Sequence, residues 1–155
     1  MKRAFFAGCL IAVLASSSAL AARPHYVGEP SFTDNGTTVT VSGKIAGIGN
    51  QDVTVVVSAS GTATVVCTNP GGNVAPGQTQ EVTTTGSQTI TPVKNGNVVF
   101  SVTTAEPQQP TDATDAGCPN DKWTASITDV DFTSASVEVF QGGQEITSLE
   151  RTATF

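Results

Sequence analysis

Eight alternate positions in a single run, Val53, Val55, Val57, Ala59, Gly61, Ala63, Val65 and Cys67, carry small or apolar residues, and hydroxyl-bearing residues fill most of the gaps between them. A period of two held over that length turns one side of an extended chain toward a core and the other toward solvent, unlike the 3.6-residue stripe of a helix. A two-residue hairpin at Ser60-Gly61 would pair Ala59 with Thr62 and turn Val65 and Cys67 away from the face of Val55. The run therefore reads as one long bent strand or as two strands joined by an odd-length turn. Gly61 then marks a bulge or a close approach of backbone.

The same period recurs at Val39, Val41 and Ile45, which alternate with Thr40, Ser42 and Lys44, and no segment sustains a helical pattern. Branched Thr and Val favour extended backbone. Asn69-Pro70-Gly71-Gly72-Asn73 with Pro76-Gly77 breaks the ladder after Cys67. Asn95-Gly96 between Thr89–Lys94 and Asn97–Thr103 predicts a hairpin, as does Gly142-Gly143 between Ser136–Gln141 and Gln144–Thr152. Glu106–Lys122, with three prolines and four acidic residues, predicts a long loop, and Trp123–Phe132 a further strand. Seven to nine short strands at this spacing predict an all-β fold, an immunoglobulin-like two-layer antiparallel β-sandwich spanning residues 37–155 as one domain.

The chain opens with basic Met1-Lys2-Arg3, an apolar stretch from Ala4 to Leu14, and small residues ending in Ala19-Leu20-Ala21, which predicts an export signal over residues 1–21. Residues 22–36 are then expected as a flexible N-terminal segment. Reading Phe6-Ala7-Gly8-Cys9 as a lipid-attachment box would leave too short a hydrophobic region for export, and no stretch reaches the ~20 apolar residues of a membrane helix. Without the leader, five basic residues face thirteen acidic ones, a net charge of −8. Such a surface repels nucleic acid and anionic lipid. Cys67 and Cys118 remain, and outside the reducing cytosol two cysteines in one small domain predict a disulfide. Closing a loop of that size stabilises by about 4 kcal/mol in the chain-entropy description.

Gly47-Ile48-Gly49-Asn50 ahead of a strand, Cys67-Thr68-Asn69-Pro70-Gly71-Gly72-Asn73 with Pro76-Gly77-Gln78, and Cys118-Pro119-Asn120 with Trp123 resemble a set of uncharacterised small secreted bacterial proteins. That resemblance spans most of the chain after the leader; it supports the sandwich and the paired cysteines and brings no activity with it. The stretch from Gly36 to Ile45 is similar to the first strand of chaperone-assembled pilin subunits, and Gly142 lies fourteenth from the C-terminal aromatic Phe155. This second likeness implies a structural subunit that assembles through strand edges. The chain departs from it in having no cysteine in Ala46–Gln51 and Thr154 in place of a penultimate tyrosine.

Candidate chemistry is sparse. The single histidine, His25, stands near the expected new N-terminus, where an imidazole is not held rigidly beside a nucleophile, and Arg23-Pro24 ahead of it spoil an N-terminal copper site. Asp129 and Asp131 stand two apart on a strand and share a face, the arrangement a carboxylate hydrolase would start from. Asp112, Asp115 and Asp121 crowd the long loop and make it, with Asp129 and Asp131, a candidate ligand or calcium loop, though not an EF-hand. Trp123 either packs over the disulfide or offers an aromatic contact to a carbohydrate, and Tyr26 is the other amphipathic aromatic. Asn35-Gly36-Thr37 satisfies the N-glycosylation pattern. One tryptophan and one tyrosine cannot form the two aromatic girdles of an outer-membrane barrel. The expectation is a secreted, non-catalytic protein without cofactor, an extracellular binding or surface-associated module. Its alternatives are a pilin-like subunit and a calcium- or carbohydrate-binding module.

Overall fold

A computed structural model describes residues 23–92 and 96–155. The expected export signal, Cys9 included, lies outside the described residues. Ten strands follow in order: β1 (His25–Tyr26), β2 (Ser31–Asp34), β3 (Val39–Ala46), β4 (Val53–Thr68), β5 (Val74–Pro76), β6 (Gln80–Ile90), β7 (Val98–Thr103), β8 (Thr124–Gln141), β9 (Gln144–Glu145) and β10 (Arg151–Thr154), with a 3₁₀ turn at Thr147–Leu149. They form two antiparallel sheets. In the smaller, β3 has β1 and β2 along one edge and β7 along the other. In the larger, β4 has β6 and β5 on one side and β8 on the other, and β8 carries β10 and β9 on its far edge. The fold is a two-layer antiparallel β-sandwich whose inner faces bury Val39, Val41, Ile45, Val53, Val55, Val57, Phe100, Phe132 and Val137.

The parity run is one strand. β4 buries every odd position from Val53 to Cys67 without a break and spans about 50 Å at the usual rise. Its partner β8 has eighteen residues against sixteen, and the surplus is taken up by two register shifts opposite Ser60/Gly61 and Thr64/Val65, which leave Thr133 and Thr128 unpaired with β4. Across each bulge the buried parity of β8 switches, from Ala125 and Ile127 to Val130 and Phe132, and back to Ala135, Val137 and Val139. The expected strand Trp123–Phe132, from Thr124 on, and Ser136–Gln141 are thus parts of one strand, which simple alternation could not join. Gly61 faces the bulged backbone. A Cβ there would lie 2.4 Å from the Asp131 carbonyl oxygen.

Two expectations need correction. The segment expected to be flexible over residues 22–36 is not a free tail from His25 onward: β1 and β2 pair with β3, and the Tyr26 hydroxyl donates to the Leu149 carbonyl at 2.7 Å. Burying half of an aromatic ring and closing that hydrogen bond offsets the ordering entropy of a short strand. Of the Asn95-Gly96 signal, residues 93–95 lie outside the described residues, but the strands on either side do not pair as a hairpin: β6 pairs with β4 and β7 with β3, so the chain passes from the larger sheet to the smaller. The carbonyl of Gly96 accepts from the Ile48 amide at 3.1 Å, which ties the crossover to the β3–β4 connection instead. The Gly142-Gly143 signal does make a two-residue hairpin, pairing Gln141 with Gln144, and both glycines have positive φ, 58° and 81°.

The long outer edge of β8 is covered piece by piece. The Gln109 side chain accepts from the Ile127 amide, the Gly36 carbonyl from the Val130 amide, β10 pairs with Ser134–Val137, and β9 with Phe140–Gln141. Cys67 and Cys118 are bonded, with Cα atoms 5.6 Å apart, so the staple ties the central strand β4 to the loop that supplies Gln109. On the opposite side the two sheets touch at an edge. The Ala105 amide donates to the Thr85 carbonyl at 2.9 Å, and a Cβ on Gly86 would lie 2.2 Å from the Thr103 carbonyl oxygen.

Candidate binding face

The outer face of the larger sheet is set by the residues that alternate with its core. Around the Thr133 bulge, four strands each present a tripeptide with Ser or Thr at both ends: Ser58-Ala59-Ser60 on β4, Thr83-Thr84-Thr85 on β6, Ser134-Ala135-Ser136 on β8 and Thr152-Ala153-Thr154 on β10. The registers align them. Ser58 lies opposite Thr85 on one side and Ser136 on the other, and Ser136 opposite Thr152. Ser60 lies opposite Thr83 and Ser134, and Ser134 opposite Thr154. Two complete rows of hydroxyl side chains therefore cross all four strand positions, about 14 Å across the strands and ~7 Å along them.

The columns differ in height. Serines occupy the two middle strands and threonines the two flanking ones, so the serines form a floor between the larger threonine side chains. A depression of about 130 Å³ opens there, lined by Ser58, Ser60, Ser134, Ala135, Ser136 and Thr152. The Ser60 and Thr83 hydroxyls are 3.0 Å apart, and the bulge residue Thr133 donates to the Ser60 carbonyl at 3.2 Å, which pins the floor. Beyond the rows on either side lies a further row, or bank, one with a single acid and the other with two. Ser87, Val56 and Glu138 make one row, and Glu81, Thr62 and Asp131 the other, with the Thr62 hydroxyl donating to Glu81 at 2.8 Å.

Asp129 and Asp131 do share the outer face, both exposed, in line with their spacing. They belong to the acidic bank, and Asp129 lies beside the Asn35–Thr38 turn, where a Cβ on Gly36 would come within 3.3 Å of its Oδ1. The loop acids stand apart in role. Asp112 Oδ1 accepts from the Thr114 hydroxyl at 2.6 Å, the Thr114 amide at 2.7 Å and the Asp115 amide at 3.1 Å. These bonds, the Thr114 hydroxyl first, hold the Asp112 carboxyl below the usual carboxylate range. That carboxylate closes the turn leading to Cys118, whose amide donates to Ala113. Asp115 and Asp121 are exposed on the same loop, and among the described residues no three His, Cys, Asp or Glu side chains converge as metal ligands.

Trp123 packs half-buried against the core, beside the disulfide loop in sequence, with its amide donating to Asn120. His25 is exposed in β1, its Nδ1 3.0 Å from the Arg23 carbonyl oxygen. Tyr26 is an anchor: its ring lies 6.3 Å from that of Phe100 and 5.1 Å under the Arg151 guanidinium, which also pairs with Glu29 at 3.1 Å. Desolvation pushes the Tyr26 phenol up to about 12, with Arg151 opposing and Glu29 adding to the shift. The Asn35 side chain, exposed at its hairpin turn, donates to the Thr40 hydroxyl at 2.9 Å.

The hydroxyl rows were not singled out from sequence. Ser/Thr-x-Ser/Thr tripeptides also occur at Thr38–Ser42, Thr62–Thr64 and Ser101–Thr103, and only strand order and register select the four that meet. No family model, curated protein or solved structure matches the chain. Among the described residues no helix is long and apolar enough to cross a membrane.

Proposed function

We propose that this chain is exported through its N-terminal leader and acts outside the reducing cytosol as a non-catalytic binding module, with the hydroxyl tray of the larger sheet as its contact face. The observation that carries the reading is the alignment of eight Ser and Thr side chains in two uninterrupted rows around a depression. The Cys67–Cys118 bond supports the compartment, since such staples persist where thiols are not kept reduced. A depression of about 130 Å³ is too small to enclose a ligand of ordinary size. It suits contact with a face or an extended polymer. The test is depletion of the purified mature protein from solution by insoluble envelope material of the producing cells. Ser58→Gln with Ser134→Gln, which raises the floor at two diagonal positions of the outer face, should abolish depletion while shifting stability by no more than about 0.5 kcal/mol, as surface substitutions usually do. Undiminished depletion by the double variant refutes the tray as contact face.

A second reading, assembly through a strand edge, is favoured by β7. Val98–Thr103 has no charge and no proline, pairs with β3 on one side only, and leaves Val99 71% exposed. The Thr103 end of this edge is closed against β6 by the Ala105–Thr85 bond, which leaves the Val98–Ser101 part open, and margins elsewhere carry Pro30, Pro76 or Arg151. Light scattering at rising concentration tests it. Monomers throughout, for the native chain as for Val99→Lys, exclude assembly by this edge.

A further inference from the structure

The tray's chemistry narrows its ligand, given that the tray is the contact face. Its floor and ends carry Ser and Thr side chains beside Ala135, and hydroxyls donate and accept alike and carry no charge at any accessible pH. Glu81 and Asp131 on one bank and Glu138 on the other stand where an anionic polymer would be repelled. Crossing the strands, by contrast, meets only the uncharged side chains of Thr85 and Thr152 at either side of the serine floor. We infer that the occupant is a neutral polysaccharide laid across the strands, its hydroxyls bonded to Ser58, Ser60, Ser134 and Ser136, and its C–H faces resting on the threonine side chains.

Three features support a polymer over a free sugar. The strand spacing of ~4.8 Å repeats a hydroxyl position at nearly the rise of one sugar unit in an extended chain. The rows continue over four strand positions, so successive units meet equivalent groups. A depression of about 130 Å³ covers one ring incompletely, so retention must come from several weak contacts in series. Trp123 and Tyr26 take no part, because both are packed against the core.

The test is sedimentation of the mature protein with insoluble cellulose, with chitin and with a calcium-alginate gel, in low salt and in 0.5 M sodium chloride. Binding to at least one neutral glycan, about tenfold or more above alginate, unchanged by salt and reduced about tenfold or more by Ser58→Gln with Ser134→Gln, is the expected result. Failure on both neutral glycans, or retention that salt abolishes, overturns the inference. If that failure accompanies loss of envelope depletion in the same double variant, the tray stands as a contact face for a different ligand. If depletion survives the double variant, both readings fall together.

Discussion

Thr84 and Thr104 are chemically identical side chains in nearly identical burial, 4% and 3% exposed, yet the same substitution should move stability in opposite directions. Thr104 Oγ1 accepts from the Val39 amide at 3.1 Å, on a residue that is fully buried. Thr84 Oγ1, on the inner face of β6 between two tray residues, has no hydrogen-bond partner. Valine keeps the branched shape and replaces the hydroxyl with a methyl. An unpaired buried polar group costs roughly 1–3 kcal/mol, and a buried methyl gains up to about 0.8 kcal/mol. Thr84→Val removes a penalty already present and should stabilise by about 1–2 kcal/mol. Thr104→Val creates one at the Val39 amide and should destabilise by about 1–2 kcal/mol after the methyl gain.

Urea unfolding of the two variants and the native chain, with the m-value unchanged as the criterion of comparable end states, reads the difference directly. In a domain of this size ~1 kcal/mol corresponds to a shift in Tm of roughly 3–5 °C, so the two variants should lie several degrees either side of the native protein. The reasoning is refuted if both move stability in the same direction, or if Thr84→Val is the more destabilising. Because side-chain volume changes equally in both, packing alone predicts no such split.

Cys67→Ser with Cys118→Ser should lower stability by about 4 kcal/mol, with the Ile127 amide, capped by Gln109 of the tethered loop, losing hydrogen-exchange protection ahead of Val57. Gly86→Ala drives a Cβ to 2.2 Å from a backbone oxygen of the opposite sheet and should cost more than the ~1–3 kcal/mol of ordinary overpacking; an unchanged melting temperature would remove the edge contact from the account. The single tyrosine should titrate by ultraviolet absorbance with a midpoint of about 12. Since that folded value lies above the unfolded one of about 10, its stabilisation is complete below pH 10 and disappears as pH climbs toward 12, and Tyr26→Phe should flatten stability across that window.

The long strand β4 was legible because nothing interrupts its alternation: the odd positions from Val53 to Cys67 form the buried side throughout. Its partner β8 was not, because bulges at Thr128 and Thr133 reverse the parity twice, and a reader of alternation sees two strands where there is one. A bulge is specified by what the neighbouring strand offers, here Gly61, so its signal is split between residues about 70 apart in sequence. The Asn95-Gly96 hairpin failed for a related reason. A turn motif encodes a local bend, whereas the sheet joined by the outgoing strand is decided by non-local pairing of β7 with β3. The disulfide needed only two cysteines after the leader, and the hydroxyl tray needed three registers at once.

Those registers also explain why the tray sits where it does. At its level the inner side of the larger sheet is small as well: Ala59, Thr84 and Ala135 lie directly behind the hydroxyl rows, in place of the valines at Val55 or Val139. Bulky outer residues are not needed to cover that stretch, and the bulge inserts Thr133 between the level of Asp131 and that of Ser134. Small side chains on both sides of four adjacent strands contribute little to stability, since each buried methylene forgone is worth about 0.8 kcal/mol. The loss is offset by the long β4–β8 ladder and by the staple at its far end. Restoring bulk to the inner side should therefore be costly even though the residues are small: Ala59→Val and Ala135→Val would press the sheets apart and, at ~1–3 kcal/mol each, leave less stability than the native chain. If either variant were instead more stable, the small residues would border an unfilled space in the core rather than form the underside of a surface kept flat for contact.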